Sequence, residues 1–216
     1  MDNYQTLVIL SVAFVMSWFG FGVINNIRRG NRVLKWMQSG LPAIGEKTTL
    51  RWLGSSAVEL MIAKAKPPFR RFELVLLLEP RDVPWLWIWT HSRGRRDMMI
   101  LRGMLMSAPR LEYDIVASES WSGRSALTDA ANRQWAQRTL AGYQFLAPKA
   151  SSMVSSENAV ALLESAKKIN PVIWRLAVRR EFPQLEVHVP LPNPRTTDAS
   201  ELFDSVRSLG QQMVGK

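Results

Sequence analysis

The chain has no cysteine, only two histidines, and no charged residue between Thr6 and Ile24. Without cysteine there are no disulfides, no thiolate metal sites and no cysteine nucleophile, which suits a cytoplasmic location. His91 and His188 lie far apart, and neither has a partner at metal-ligand spacing. His188 falls on the polar side of its strand with Glu186 and is expected to be solvated; His91 is expected to end a helix. No P-loop or GxGxxG pattern occurs, and Gly20-Phe21-Gly22 lies inside an apolar run. Trp121-Ser122-Gly123-Arg124-Ser125 lacks the two glycines of a nucleophile elbow. No cofactor and no catalytic residue is therefore expected. An enzyme whose site assembles from residues distant in sequence stays open.

What is present is led by TLVILSVAFVMSWFGFGVI, residues 6–24. As a helix these nineteen residues cover about 28 Å at 1.5 Å each, close to the roughly 30 Å of a bilayer's hydrocarbon core. Leu7, Ile9, Leu10, Phe14, Phe19 and their neighbours favour insertion by roughly 3–6 kcal/mol. A cleaved signal peptide would carry a basic start and a small-x-small site, whereas MDNYQ precedes the run and NNIRRGNR follows it. Residues 6–27 are thus expected to be a retained transmembrane helix, with 1–5 as an external tail. No Lys or Arg precedes the span, while Arg28, Arg29, Arg32 and Lys35 follow it. The positive-inside rule then gives a single-pass cell-membrane protein with its N-terminus outside and its domain in the cytoplasm. Ala13 and Ser17 form one small-xxx-small pair, a weak signal for helix pairing.

The net charge of +10 attracts anionic partners. For a tethered domain the nearest are acidic headgroups, at about 1 kcal/mol per basic residue near the surface. Residues 28–42 are expected to form a basic amphipathic juxtamembrane segment. Arg28, Arg32 and Lys35 share one face; Ile27, Val33, Leu34 and Met37 gather on the other; Pro42 ends it. It could lie along the headgroups or serve as a solvated connector.

Nine tryptophans are present, with Trp36 just after the span and three in EPRDVPWLWIWTHSRGRR, residues 79–96. Here Asp82 could cap a helix with Pro84 in its first turn. Trp85, Ile88, Trp89 and Ser92 would share a face, with Leu86 and Trp87 elsewhere, Arg93, Arg95 and Arg96 following, and Gly94 ending the helix. A short helix apolar all round must be buried in the domain core, the bilayer interface or a partner protein. As a strand, Trp85, Trp87 and Trp89 would stack on one face like a nucleic-acid platform, but no nucleic-acid motif surrounds them. The expected membrane-surface or partner contacts are therefore Arg28, Arg29, Arg32, Lys35, Trp36, Trp85, Trp87, Trp89, Arg93, Arg95 and Arg96.

The remainder, 43–216, alternates strand and helix patterns. Thr49–Leu53, Ala57–Ala65 and Phe69–Glu79 read as strands, the last two joined by Lys66-Pro67-Pro68. Met98–Met106 and Leu111–Ser118 form a second hairpin candidate, and Val172–Val178 with Leu185–Leu191 a third. Glu59, Glu73 and Glu79 alternate as on solvated sheet faces. Ser125–Leu140 is expected to be helical, Tyr143–Ala147 a short strand, and Ser156–Ile169 an amphipathic helix starting at Ser155-Ser156-Glu157. Asp198 and Glu201 frame the start of a last helix with Leu202, Val206, Leu209 and Met213 on one stripe. Strand pairs followed by helices give an α+β domain, an antiparallel sheet covered by C-terminal helices, with a possible subdomain break near 119–124. The expected function is a membrane-anchored interaction or scaffold domain with a protein partner or a larger membrane complex. The alternatives are an enzyme on a lipid or membrane-bound anion, with arginines binding substrate, and a nucleic-acid-binding domain.

Overall fold

The computed structural model describes residues 3–149 and 156–214. Helix α1 runs unbroken from Asn3 to Met37, 35 residues or about 52 Å. Its first half touches almost nothing: Leu7, Leu10, Phe14 and Met16 are all exposed. It is long and apolar enough to cross a membrane. Its second half is different. Gly22, Asn26, Gly30, Val33 and Met37 are buried, and steps of four, four, three and four residues place them on one stripe. That stripe lies against the sheet domain. Ile27, expected beside Val33, is exposed instead. After Met37 the chain turns and makes a single 3-10 turn, Leu41–Ala43, around Pro42.

The domain is one nine-stranded antiparallel sheet with helices, an α+β fold. Its strands are β1 (Thr48–Trp52), β2 (Ala57–Ile62), β3 (Phe69–Leu77), β4 (Met98–Leu105), β5 (Tyr113–Val116), β6 (Ala136–Leu140), β7 (Tyr143–Ala147), β8 (Arg175–Val178) and β9 (Leu185–Pro190). The spatial order is β1-β2-β3-β4-β9-β8-β5-β7-β6. Helices α2 (Pro84–Ser92), α3 (Trp121–Asn132), α4 (Ser156–Lys167) and α5 (Ala199–Val214) connect or follow them. The Ser155 at the expected start of α4 and residues 1 and 2 of the expected tail lie outside the described residues.

Two expectations fail here. The second hairpin does not form: β4 pairs with β3 and β9, and β5 with β8 and β7. The β8–β9 hairpin, from far later in the chain, inserts between them. The helix expected to reach Leu140 stops at Asn132. Gln134 takes a φ of 56°, and residues 136–140 become the edge strand β6. Ala141 and Gly142, with φ of 49° and 81°, make the two-residue turn into β7, the mirror-image geometry that matches strand twist.

One face of the sheet carries Val58, Leu60, Phe72, Leu74, Leu76 and Leu101 into the main core, which α4, α5 and the end of α1 cover. On α5, Leu202, Phe203, Val206 and Leu209 point inward as the stripe required, and Asp198 Oδ1 accepts the Ser200 N–H at 2.8 Å. The opposite face is not the solvated surface its alternation implies. Glu73, Asp114, Glu186 and His188 on it are buried. A small apolar cluster of Val75, Met98 and Ile100 with Trp174 covers part of it; α3 covers another part through Ala126 and Ala130 on Val116 and Leu146. At residues 119–124, Ser120 Oγ caps α3 by accepting the Gly123 N–H at 2.9 Å. The strands on either side, β5 and β7, pair directly.

Candidate functional site

The segment Glu79-Pro80-Arg81-Asp82, between β3 and α2, holds the domain to α1. A Cβ on Gly22 would lie 2.3 Å from the Arg81 carbonyl oxygen, so only glycine allows this approach. The Trp18 indole donates to that same carbonyl at 2.9 Å. One turn further, the Asn26 amide donates to the Glu79 carbonyl at 3.0 Å, and its oxygen accepts from Arg81 at 3.2 Å. Buried Asp97 completes the junction. It accepts the Glu79 N–H at 2.7 Å, takes Arg81 in a two-pronged pair at 2.9 and 3.0 Å, and pairs with Arg29 Nε at 2.5 Å. A buried carboxylate is tolerated only with such full pairing.

Pro84 lies in the first turn of helix α2, as expected, but the cap residue is Val83 and not Asp82, and no side chain caps it. Asp82 accepts instead from the Ser55 hydroxyl at 2.6 Å. Because the segment is helical, Trp87 points away from Trp85 and Trp89, which removes the extended three-ring stacking platform. Trp87 turns inward. Its indole donates to Glu79 Oε2 at 2.6 Å, its ring lies 6.3 Å from Trp18, and His91 Nδ1 is 2.9 Å from the same carboxylate oxygen. Trp85, Ile88 and Trp89 are 63%, 60% and 52% exposed, so the domain core does not bury them.

The arginines after α2 join this exposed face. Arg93 stacks over Trp89 at 4.2 Å, and Arg95 lies over Trp121 at 5.6 Å. Arg96 reaches back to the His91 carbonyl at 2.8 Å, and Arg124 donates to the Arg93 carbonyl. Trp121 and Arg124 come from α3, and sequence reasoning missed them because roughly thirty residues separate them from α2. The other expected contact residues divide. Arg29 is spent on Asp97, and the Trp36 indole on the Thr197 carbonyl at 2.7 Å. Arg28, Arg32 and Lys35 are exposed on α1.

A second polar constellation crosses the sheet. The register aligns Glu73, Arg102 and Glu186 on neighbouring strands, with Asp114 two strands further in the same row. Arg71 pairs with Glu73 at 2.5 Å, Arg102 with Glu186 at 2.8 Å, and Arg175 with Asp114 at 2.9 Å; Arg179 also pairs with Asp114. His188 Nε2 lies 2.8 Å from Glu186 Oε1, which corrects the solvated reading of this histidine. Burial pushes the Glu186 carboxyl up, but the His188 hydrogen bond and the charges of His188, Arg102 and Arg175 outweigh it and bring its pKa to about 2. Burial alone raises the Tyr113 phenol to about 12. Between this network and α3 lies a cavity of about 170 Å³, lined by Arg133, Trp135, Arg175, Arg179, Asp114 and Glu186 among others. Most of its basic and acidic groups pair with each other. Among the described residues, no three His, Asp or Glu side chains are placed to hold a metal ion. In sequence, the chain matches no protein-family model and no curated protein.

Proposed function

We propose that this is a single-pass membrane protein whose cytoplasmic domain is clamped to its own anchor and holds a protein partner at the membrane surface. The observation that supports it is the docked stripe from Gly22 to Met37, with Asn26 and Arg29 tied to Glu79, Arg81 and Asp97. A flexible tether lets a domain tumble, whereas this junction presents the same face of every copy to whatever lies along the membrane. The orientation follows from Arg28, Arg29, Arg32 and Lys35 on the domain side of the span. Affinity purification from membranes solubilised in several mild detergents should recover a stoichiometric partner; recovery of the protein alone in all of them would overturn the reading. Protease added to intact cells should spare the domain and digest it only after lysis.

A second reading, an enzyme acting on a lipid or another membrane-bound anion, has one observation in its favour. Ser92, Arg93, Trp121, Arg124, Ser125 and Thr128 line an open depression beside the exposed tryptophans. It requires turnover of a phospholipid by the purified protein that Arg124→Ala abolishes.

A further inference from the structure

We propose that α2 is a second membrane contact. Its exposed face of Trp85, Ile88 and Trp89 enters the headgroup–acyl boundary of the leaflet from which α1 emerges, and Arg93, Arg95, Arg96 and Arg124 bind the phosphates of anionic lipids there. The inference rests on α1 being a transmembrane anchor.

Depth is the first argument. The Trp87 ring meets Trp18, and the Arg81 carbonyl just before α2 takes the Trp18 N–H. Trp18 lies six residues before Ile24, the end of the apolar run, or about 9 Å inside it along the helix axis. An element packed on Trp18 is drawn to the depth at which interfacial helices settle, roughly 5–10 Å into the boundary.

Chemistry is the second. Three large apolar side chains, each more than half exposed on a nine-residue helix, form a patch that water does not favour. Tryptophan suits the interface, with an apolar body and a polar N–H. Arg93, Arg95 and Arg96 follow the same helix, with Arg93 stacked on Trp89 and Arg95 over Trp121, and Arg124 joins them from α3. Stacking through the face leaves the guanidinium edge free for phosphate oxygens.

Continuity decides against a protein occupant. Phe14 and Trp18 of α1 are in ring contact, and Trp18 passes that contact on to Trp87. The inward side of α2 therefore packs on the apolar part of α1, which places its outward side, Trp85, Ile88 and Trp89, at the same depth as lipid.

The absence of cysteine makes the test direct. Full-length protein carrying one of Phe14→Cys, Ile88→Cys or Met106→Cys is labelled with an environment-sensitive dye. Each is reconstituted into phosphatidylcholine vesicles with and without phosphatidylglycerol, then exposed to brominated lipid or aqueous iodide. Met106 is exposed at the far end of β4, about 25 Å from the end next to α2. Lipid should quench the dye at positions 14 and 88, and iodide the dye at 106. Adding phosphatidylglycerol should strengthen lipid quenching at 88, and Arg93→Gln with Arg95→Gln should cancel that gain. Iodide access at 88 equal to that at 106 would overturn the proposal. So would shielding of 88 from both quenchers, which would mean a protein covers the face. No gain from the anionic lipid would overturn the assigned role of the arginines. If position 14 also escapes lipid quenching, the anchor reading itself fails, a result distinct from failure at 88 alone.

Discussion

Arg29 of α1 and Asp97, just before β4, form a 2.5 Å ion pair whose two ends differ sharply, the arginine half exposed and the aspartate buried. Asp97 also carries Arg81 and the Glu79 N–H, so the carboxylate, not Arg29, is the hub. Asp97→Ala should destabilise the protein by about 3 kcal/mol, since the partly buried Arg81 loses both short carboxylate bonds and keeps only Asn26 and the longer 3.6 Å pair with Glu79. Arg29→Ala should cost about 1 kcal/mol or less, because its own charge is screened and Asp97 keeps Arg81. Thermal unfolding of both variants in the same detergent gives the ratio. Equal losses would show that the pair, and not the hub, holds the junction.

Gly22 and Gly20 are two residues apart and should respond oppositely to the same change. A Cβ at 22 meets the Arg81 backbone, whereas a Cβ at 20 has nothing within 4 Å. Gly22→Ala should lower stability by about 1–3 kcal/mol, the usual cost of forcing atoms into a packed contact. Gly20→Ala should be neutral or slightly stabilising. The melting temperatures of the two variants check it, and a neutral Gly22→Ala would mean that α1 and the domain are not clamped there.

Glu186 makes acid stability a local property of the polar sheet face. Its folded pKa, about 2, lies below the ordinary 4.5. The stability it contributes is therefore fully present above about 4.5 and disappears as pH falls towards 2. His188→Gln removes the imidazole that helps hold the carboxyl down, so the acid-unfolding midpoint should move to higher pH. Denaturant melts across that pH range provide the measurement; an unchanged midpoint would show that Arg102 and Arg175 suffice.

The sequence made some of this legible and hid the rest for identifiable reasons. The apolar run could be read from its length and its lack of charge, and the α5 stripe because burial demands apolar side chains at one period. The starts of β2, β3 and β9 could be read from their patterns, although each strand ends earlier than the pattern does. The pairing of β4 could not be read, because its neighbour β9 begins eighty residues after β4 ends. The buried charges were hidden because Glu73, Glu186 and His188 show the same alternation that a wet strand would show. What buries them is supplied by Arg102, Arg175 and α3 from other parts of the chain. The docking stripe was present as Gly22, Asn26, Gly30, Val33 and Met37. Two glycines and an asparagine carry no hydrophobic signal, so it resembled the end of a span followed by a basic connector. The Trp–Arg segment was recognised as unusual, and the direction of Trp87 against Trp85 and Trp89 needed Glu79 to be seen beneath it.

The clamp also fixes an azimuth. At about 100° per residue, the Gly22–Met37 stripe occupies one side of α1, while Ala13 and Ser17 project from nearly the opposite side. Two α1 helices meeting across those small residues would carry their domains back to back, facing away from each other. Such a dimer could grip two separate partners at a set distance but could not close its domains around a single one.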